Sequence, residues 1–298
     1  MSFRVNPDIT PDLLAAIALD RQSQTTALQQ ISTGQAVNQL SDNPTAATDV
    51  IFNHIASSED DQYLQNISDL TSQLQTADST LNSVTTAVNQ AISLGVEGAN
   101  GTLNDSDRQA VSQQVSGILE QVVSLANQTY QGNYLFSGTA TSTEPFALDA
   151  TQPDGVQYSG NTAVNSIEIA PGSTIPINVA GSQLFTNPNG DLLGALNGLV
   201  TALNTNTGIG TAVTTLQSAY SQFSTQRVFY GNALQQLQSA QTFLNNDQTQ
   251  LASQENSLIG VDLATASTNL SQATTATNAI LSATNQVLTT MNLLDFLK

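Results

Sequence analysis

The chemically capable residues are few. The chain has one histidine, His54, and one dense acidic run, SEDDQ at residues 58–62. A zinc peptidase helix needs two histidines flanking a glutamate, and one histidine cannot build it. A hard cation such as Ca²⁺ takes about six or more oxygens, usually from a loop bent by glycine. SEDDQ carries no glycine and lies within a helical pattern, so it reads as a solvated helix face. His54 sits beside Phe52 and Ile55 and reads as a surface or structural residue. No Gly-Lys-Ser/Thr occurs, so no phosphate-cradling loop is present. No cysteine offers a thiol or a disulfide. We therefore expect no catalytic residue, no metal site and no cofactor.

What remains is the capacity to pack. Proline is concentrated, with five of eight (Pro145, Pro153, Pro171, Pro176, Pro188) between residues 145 and 188. Outside that window helical patterns run almost unbroken. The first spans residues 12–40, with Leu14, Ile17, Leu28 and Ile31 on one seam and Arg21 and Gln24 between. Gly34 weakens or ends it. In LSDNPTAA, Ser41 is placed to cap a helix, and Pro44 suits a first turn. The second helix carries Tyr63, Ile67, Leu70, Leu74, Ala77, Leu81, Val84, Val88 and Ala91 at alternating spacings of four and three, a heptad seam. Those 29 residues span roughly 43 Å of helix. After a turn in GVEGANGTLND, a third helix aligns Val111, Val115, Ile118, Val122 and Leu125.

From Tyr130 the period changes. YLFSG, GVQYSG, SIEIAPG and TIPINVAG read as short strands between Gly and Pro turns. Alternation sets Tyr134 and Phe136 on one face, where helix hands over to a β-rich segment. Helix returns at Asp191, with Tyr220, Phe223, Tyr230, Leu237, Leu244 and Leu251 among its seam positions. A break falls at Leu258-Ile259-Gly260. The last helix holds Leu263, Ala266, Leu270, Ala273, Thr277, Ile280, Thr284, Val287, Met291 and Leu294, and carries no charge from Leu263 through Leu294. A surface helix normally shows charge on its outer face. Small and amide-bearing residues all round mark a helix meant to be buried among others, some from other subunits.

Charge limits the partners. The net charge is −18, with four arginines and the single lysine Lys298. Phosphate backbones need clustered cations, so nucleic acid is excluded, and anionic membrane surfaces are equally poor partners. Self-association must rest on short-range apolar and hydrogen-bonding contacts. MSFRVNPDITPDLL lacks the apolar core of a cleavable signal, and no stretch approaches the about 18 apolar residues of a membrane span.

Four stretches, in order, resemble one family. ISTGQAVNQLSDNPTAA (31–47), YQGNYLFSG (130–138), RVFYGNALQQLQ (227–238) and the C-terminal run from Gly260 ending in LLDFLK resemble the flagellin superfamily. Within it they are most similar to the branch that joins hook to filament. Asn43 stands where the family usually has a second Asp. Residues 139–190 carry little of the resemblance.

The resemblance implies a structural axial protein of the bacterial flagellum, exported by the flagellar type III apparatus without a cleaved signal peptide. Its partners would be further copies side by side, flagellin, another hook-associated protein and an export chaperone. Alternatives are a filament-forming flagellin, or an adhesin-like role for the β insert. The expected fold is mainly α with a small β insert: an elongated antiparallel helical bundle or coiled-coil rod formed by the N- and C-terminal halves. Residues 1–42 and 258–298 would form the inner assembly domain, 43–130 and 191–257 the helical rod, and 131–190 a β-rich outer domain. The expected subunit-interface residues are Leu14, Ile17, Leu28, Ile31, Ile280, Val287, Met291, Leu294 and Leu297.

Overall fold

The structure is a computed structural model; it describes residues 9–152 and 154–295, and the side chains of 11–152 and 154–286. The chain is mainly α-helical, with a small β insert in its middle. Its elements are α1 (Ile9–Thr33), α2 (Pro44–Gly98), α3 (Asp105–Ala126), β1 (Thr129–Tyr130), β2 (Asn133–Tyr134), β3 (Phe146–Leu148), β4 (Val156–Tyr158), β5 (Ser166–Ala170) and β6 (Ser173–Pro176). Then come α4 (Gly181–Leu184), β7 (Thr186–Asn187), β8 (Gly190–Asp191), α5 (Leu192–Thr205), α6 (Ile209–Ile259) and α7 (Leu263–Asp295). They form two compact units. One holds the residues up to Glu59 and those from Asp247 on; the other is Asp60–Asn246.

The second unit holds the large apolar core. The heptad seam of α2 is buried from Ile67 to Ala91, with Leu81, Val84, Val88 and Ala91 fully excluded from solvent. Spacings of four and three keep these side chains on one stripe for seven turns, so they bury as a continuous line. Against them lie Phe223, Tyr230 and Leu237 of α6, Val115 and Val122 of α3, and the buried leucines of α5. Arg227 Nε donates to Asp78 Oδ1 at 2.9 Å, and Asn89 Nδ2 to the Tyr220 hydroxyl at 3.4 Å. The order of those two contacts makes α2 and α6 antiparallel.

The turn after α2 is held by a charged residue that stands three residues before Val111 and so extends the α3 stripe. The Arg108 guanidinium is buried, bonded to the carbonyls of Gly98 and Leu103 at 3.4 and 3.0 Å and to Asp105 at 3.0 Å. Three acceptors compensate the desolvation of its charge. Asn104 caps α3 by accepting from Asp107 N at 2.8 Å.

The β insert consists of four two-stranded antiparallel hairpins rather than one sheet. In the first, Thr129 faces Tyr134 and Tyr130 faces Asn133. Its turn places both Gln131 (φ 50°) and Gly132 (φ 83°) in the left-handed region, the geometry a two-residue hairpin demands. Here the alternation reading needs correction. The strand stops at Tyr134, which is half-buried, while Leu135 and Phe136 are both buried in succession. The chain leaves the extended pairing after Tyr134, so period two no longer sorts its side chains. Phe136 packs edge-on against Phe185, which also meets Phe146 and Phe223. These rings anchor the insert to α6. Asn127, at the end of α3, grips β3 through both its amide atoms, at 2.7 and 2.9 Å from Phe146 O and N.

Two further differences concern helix ends. The return to helix at Asp191 is interrupted at Asn206 (φ 53°) and Gly208 (φ 68°), which separate α5 from α6. Two left-handed residues in TNTG cannot continue a helix. In SEDDQ, Asp60 is buried rather than solvated. It stands seven residues before Ile67, on the α2 seam itself.

Candidate assembly surface

The terminal helices α1 and α7 pair antiparallel within the first unit. Gln24 Nε2 donates to Thr277 Oγ1 at 3.0 Å, and Gln35 bridges Gly260. At that end the chain makes a short exchange: Ala36 N donates to Ile259 O at 2.6 Å and Val261 N to Gly34 O at 3.1 Å. Both helices stop there for the reason glycine allows. Gly34 takes φ 71° after Thr33, and α6 ends at Ile259 just before Gly260. Asp262 opens α7 by accepting from Ala264 N and the Thr265 hydroxyl at 2.9 and 2.8 Å. The Thr265 hydrogen bonds hold its carboxyl below the ordinary carboxylate range.

Between α1 and α2 the cap differs from the sequence expectation. Asn43 Oδ1, not Ser41, receives Ala46 N at 3.2 Å, and Pro44 is the first helical residue. Asp42 turns back to accept from Asn38 N and Gln39 N, both at 3.0 Å. Asn and Asp are equivalent caps, so the departure at Asn43 is harmless to the geometry. Farther along the same unit His54 Nε2 lies 3.1 Å from Glu255 Oε1, tying α2 to α6 on an exposed surface.

The seam of the α1–α7 pair is unlike the α2 core. Its buried residues are alanines: Ala27 on α1, Ala266 and Ala273 on α7. Around them lie half-buried Gln24, Leu270, Thr277 and Thr284. Small side chains let the two backbones approach closely. The hydroxyls of Thr268, Thr274, Thr275 and Thr284 bond back to carbonyls four residues earlier in α7. Each threonine hydroxyl then needs no further partner for its proton.

The expected interface residues separate accordingly. Ile17, Ile31 and Ile280 are half-buried and line the seam. Leu14 and Leu28 face solvent, 67% and 54% exposed. The side chains of Val287, Met291 and Leu294, and all of Leu297, lie outside the described residues. Two exposed leucines that sequence reasoning passed over, Leu19 on α1 (66%) and Leu281 on α7 (44%), join the outward set. Their signal was available: leucines off the three-four stripe of a helix already supplied with one.

Comparison with known proteins places this architecture. Residues 12–141 match the bacterial flagellin N-terminal helical region, and residues 213–297 the bacterial flagellin C-terminal helical region. The chain belongs to the flagellin superfamily. It is 32% identical over 160 residues to flagellar hook-associated protein 3 of Salmonella typhimurium, covering 53% of this chain and 49% of that one. It is 27% identical over 191 residues to flagellar hook-associated protein 3 of Escherichia coli, covering 64% and 59%. The chain thus spans about half the length of the curated relatives it matches. A solved hook-associated protein 3 from Legionella pneumophila shares the fold, with a TM-score of 0.64 at 13% identity over 70% of this chain and 98% of that one.

Proposed function

We propose that this chain is a structural axial protein of the bacterial flagellum, joining the hook-associated region to the filament, and not an enzyme. The observation that carries the reading is the α1–α7 pair. It buries alanines and leaves Leu14, Leu19, Leu28 and Leu281 exposed, in a chain whose ends match the flagellin helical regions. A helix pair with a row of exposed leucines is incomplete alone and is completed by neighbours. Its neighbours in this reading are further copies side by side, flagellin and another hook-associated protein. Export would run through the flagellar apparatus with a chaperone. Residues 1–42 and 258–298 serve as the assembly part, 43–130 and 191–257 as the helical rod, and 131–190 as a β-rich part facing outward. Leu14, Ile17, Leu28, Ile31, Ile280, Val287, Met291, Leu294 and Leu297 are the proposed contact residues.

The test is seeded assembly followed by electron microscopy. Purified chain is incubated alone, with filament seeds and with hook-associated protein. Monomers that add at an end and then stop are the expected result. Unlimited filaments from the chain alone would make it a filament flagellin. Ile280→Asp should abolish addition while the Asp60–Asn246 unit keeps its thermal transition, because the charge would be desolvated among packed helices.

A further inference from the structure

The α1–α7 pair has two unlike flanks. At 100° per residue, Leu14, Arg21 and Leu28 fall at sevenfold spacing on one side of α1, all exposed. They form a ridge about 21 Å long, an arginine between two leucines. On the other side of the seam, a groove of about 680 Å³ runs between α1 and α7, with exposed Leu19 and Thr26 on its rim. Asp20 lines that groove, and its Oδ2 is buried with no hydrogen-bond partner among the described residues.

Two charges are therefore left over on one helix. Arg108 and Arg227 are each ion-paired inside the chain, whereas Arg21 forms no ion pair among the described residues. Arg21 cannot serve its own neighbour Asp20, since consecutive residues on a helix do not face each other. Asp20 is half-buried and lines the groove, so a cation seated in the groove lies beside its carboxylate group.

We infer that a second copy supplies it: the Leu14–Arg21–Leu28 ridge of one copy seats in the α1–α7 groove of the next, with Arg21 against Asp20. This rests on the proposed assembly function and assigns it a contact. Ridge against ridge would oppose Arg21 to Arg21, which like charge disfavours. Ridge into groove matches cation to carboxylate. Such a contact is heterologous: each copy offers its ridge to one neighbour and its groove to the other, so copies are added side by side in one sense.

The chain has no cysteine, so cross-linking can test the register directly. With parallel copies and Arg21 level with Asp20, Leu28 falls beside the neighbour's Thr26. Copies carrying Leu28→Cys and copies carrying Thr26→Cys are mixed, added to hook-associated ends and oxidised. A disulfide dimer is expected from the mixture and at least about tenfold less from either variant alone. Arg21→Glu, at an exposed position that leaves the fold intact, should lower incorporation about tenfold, and Arg21→Lys should restore most of it. Dimers from Leu28→Cys alone as abundant as from the mixture would overturn the pairing in favour of ridge against ridge. Normal incorporation of Arg21→Glu would also overturn it. If the unsubstituted chain itself adds to no end, the proposed function fails, and the pairing with it.

Discussion

The two helical seams of this chain solve the same problem with different side chains. Along α2 the seam is leucine, isoleucine and valine, and it is buried to the last atom against α3, α5 and α6. Between α1 and α7 only alanines are buried, flanked by half-buried Gln24, Thr277, Leu270 and isoleucines, while Leu14, Leu19, Leu28 and Leu281 are exposed. The first seam closes a core within one chain. The second joins two helices closely and leaves apolar surface over. Hydrophobic burial stabilises by roughly 25 cal/mol per Å² of apolar surface, so the α2 core supplies most of the chain's own stability. The terminal pair leaves Leu14, Leu19, Leu28 and Leu281 exposed.

Substitutions can break or sharpen this contrast. The largest expected effect is in the α2 core. Leu81→Ala should destabilise the Asp60–Asn246 unit by about 3 kcal/mol, read from the midpoint of urea unfolding. An effect no larger than that of a surface change would mean the seam is not the core. Next comes overpacking at the end of the same helix. A Cβ on Gly95 would meet Val213 Cγ2 at 2.7 Å and Leu199 Cδ2 at 3.0 Å, so Gly95→Ala should cost about 1–3 kcal/mol in the same assay.

The third is a pH dependence confined to the second unit. Asp191 caps α5 by accepting from Gly194 N at 2.9 Å. Burial, and then the nearby Asp154 carboxylate, push its carboxyl up to about 6. The folded state therefore holds a proton on Asp191 that the unfolded chain has released, across about pH 4 to 6. Stability is greatest below that window and declines as pH rises through it. Asp191→Asn keeps an N-cap residue and removes the charge. It should stabilise the unit above pH 6 by about 1 kcal/mol, after allowing for solvent screening, and flatten the pH profile of Tm between 4 and 6. An unchanged profile would show that Asp191 does not set it. The smallest effect belongs to the terminal pair. Leu28→Ala should move the stability of the isolated chain by less than about 0.5 kcal/mol while lowering end addition measurably. That split, neutral for folding and harmful for assembly, is the sharpest test of the contrast.

The sequence carried much of this. Spacing alone located the α2 seam because a three-four repeat over seven turns has only one helical reading. Gly34 and Gly260 marked breaks because Gly34 takes a left-handed backbone and a Cβ on Gly260 would collide with the Asn256 carbonyl. Proline density marked the insert because proline cannot sit inside a helix. Small, uncharged α7 announced a helix meant for close neighbours. Periodicity could not say which of two faces packs when both carry apolar residues. On α1 it set Leu14, Ile17, Leu28 and Ile31 on one seam with Gln24 between; in the structure Ile17, Gln24 and Ile31 are half-buried, Leu14 and Leu28 are exposed, and the buried residue is Ala27. Nor could it find the ring cluster around Phe185, whose members Phe136, Phe146 and Phe223 come from distant positions. Local pattern fixes where helices run and stop, since those forces act within one or two turns. Which side of a helix is inside, and which charge is left without a partner, depends on groups far apart in the chain, and only the folded arrangement decides it.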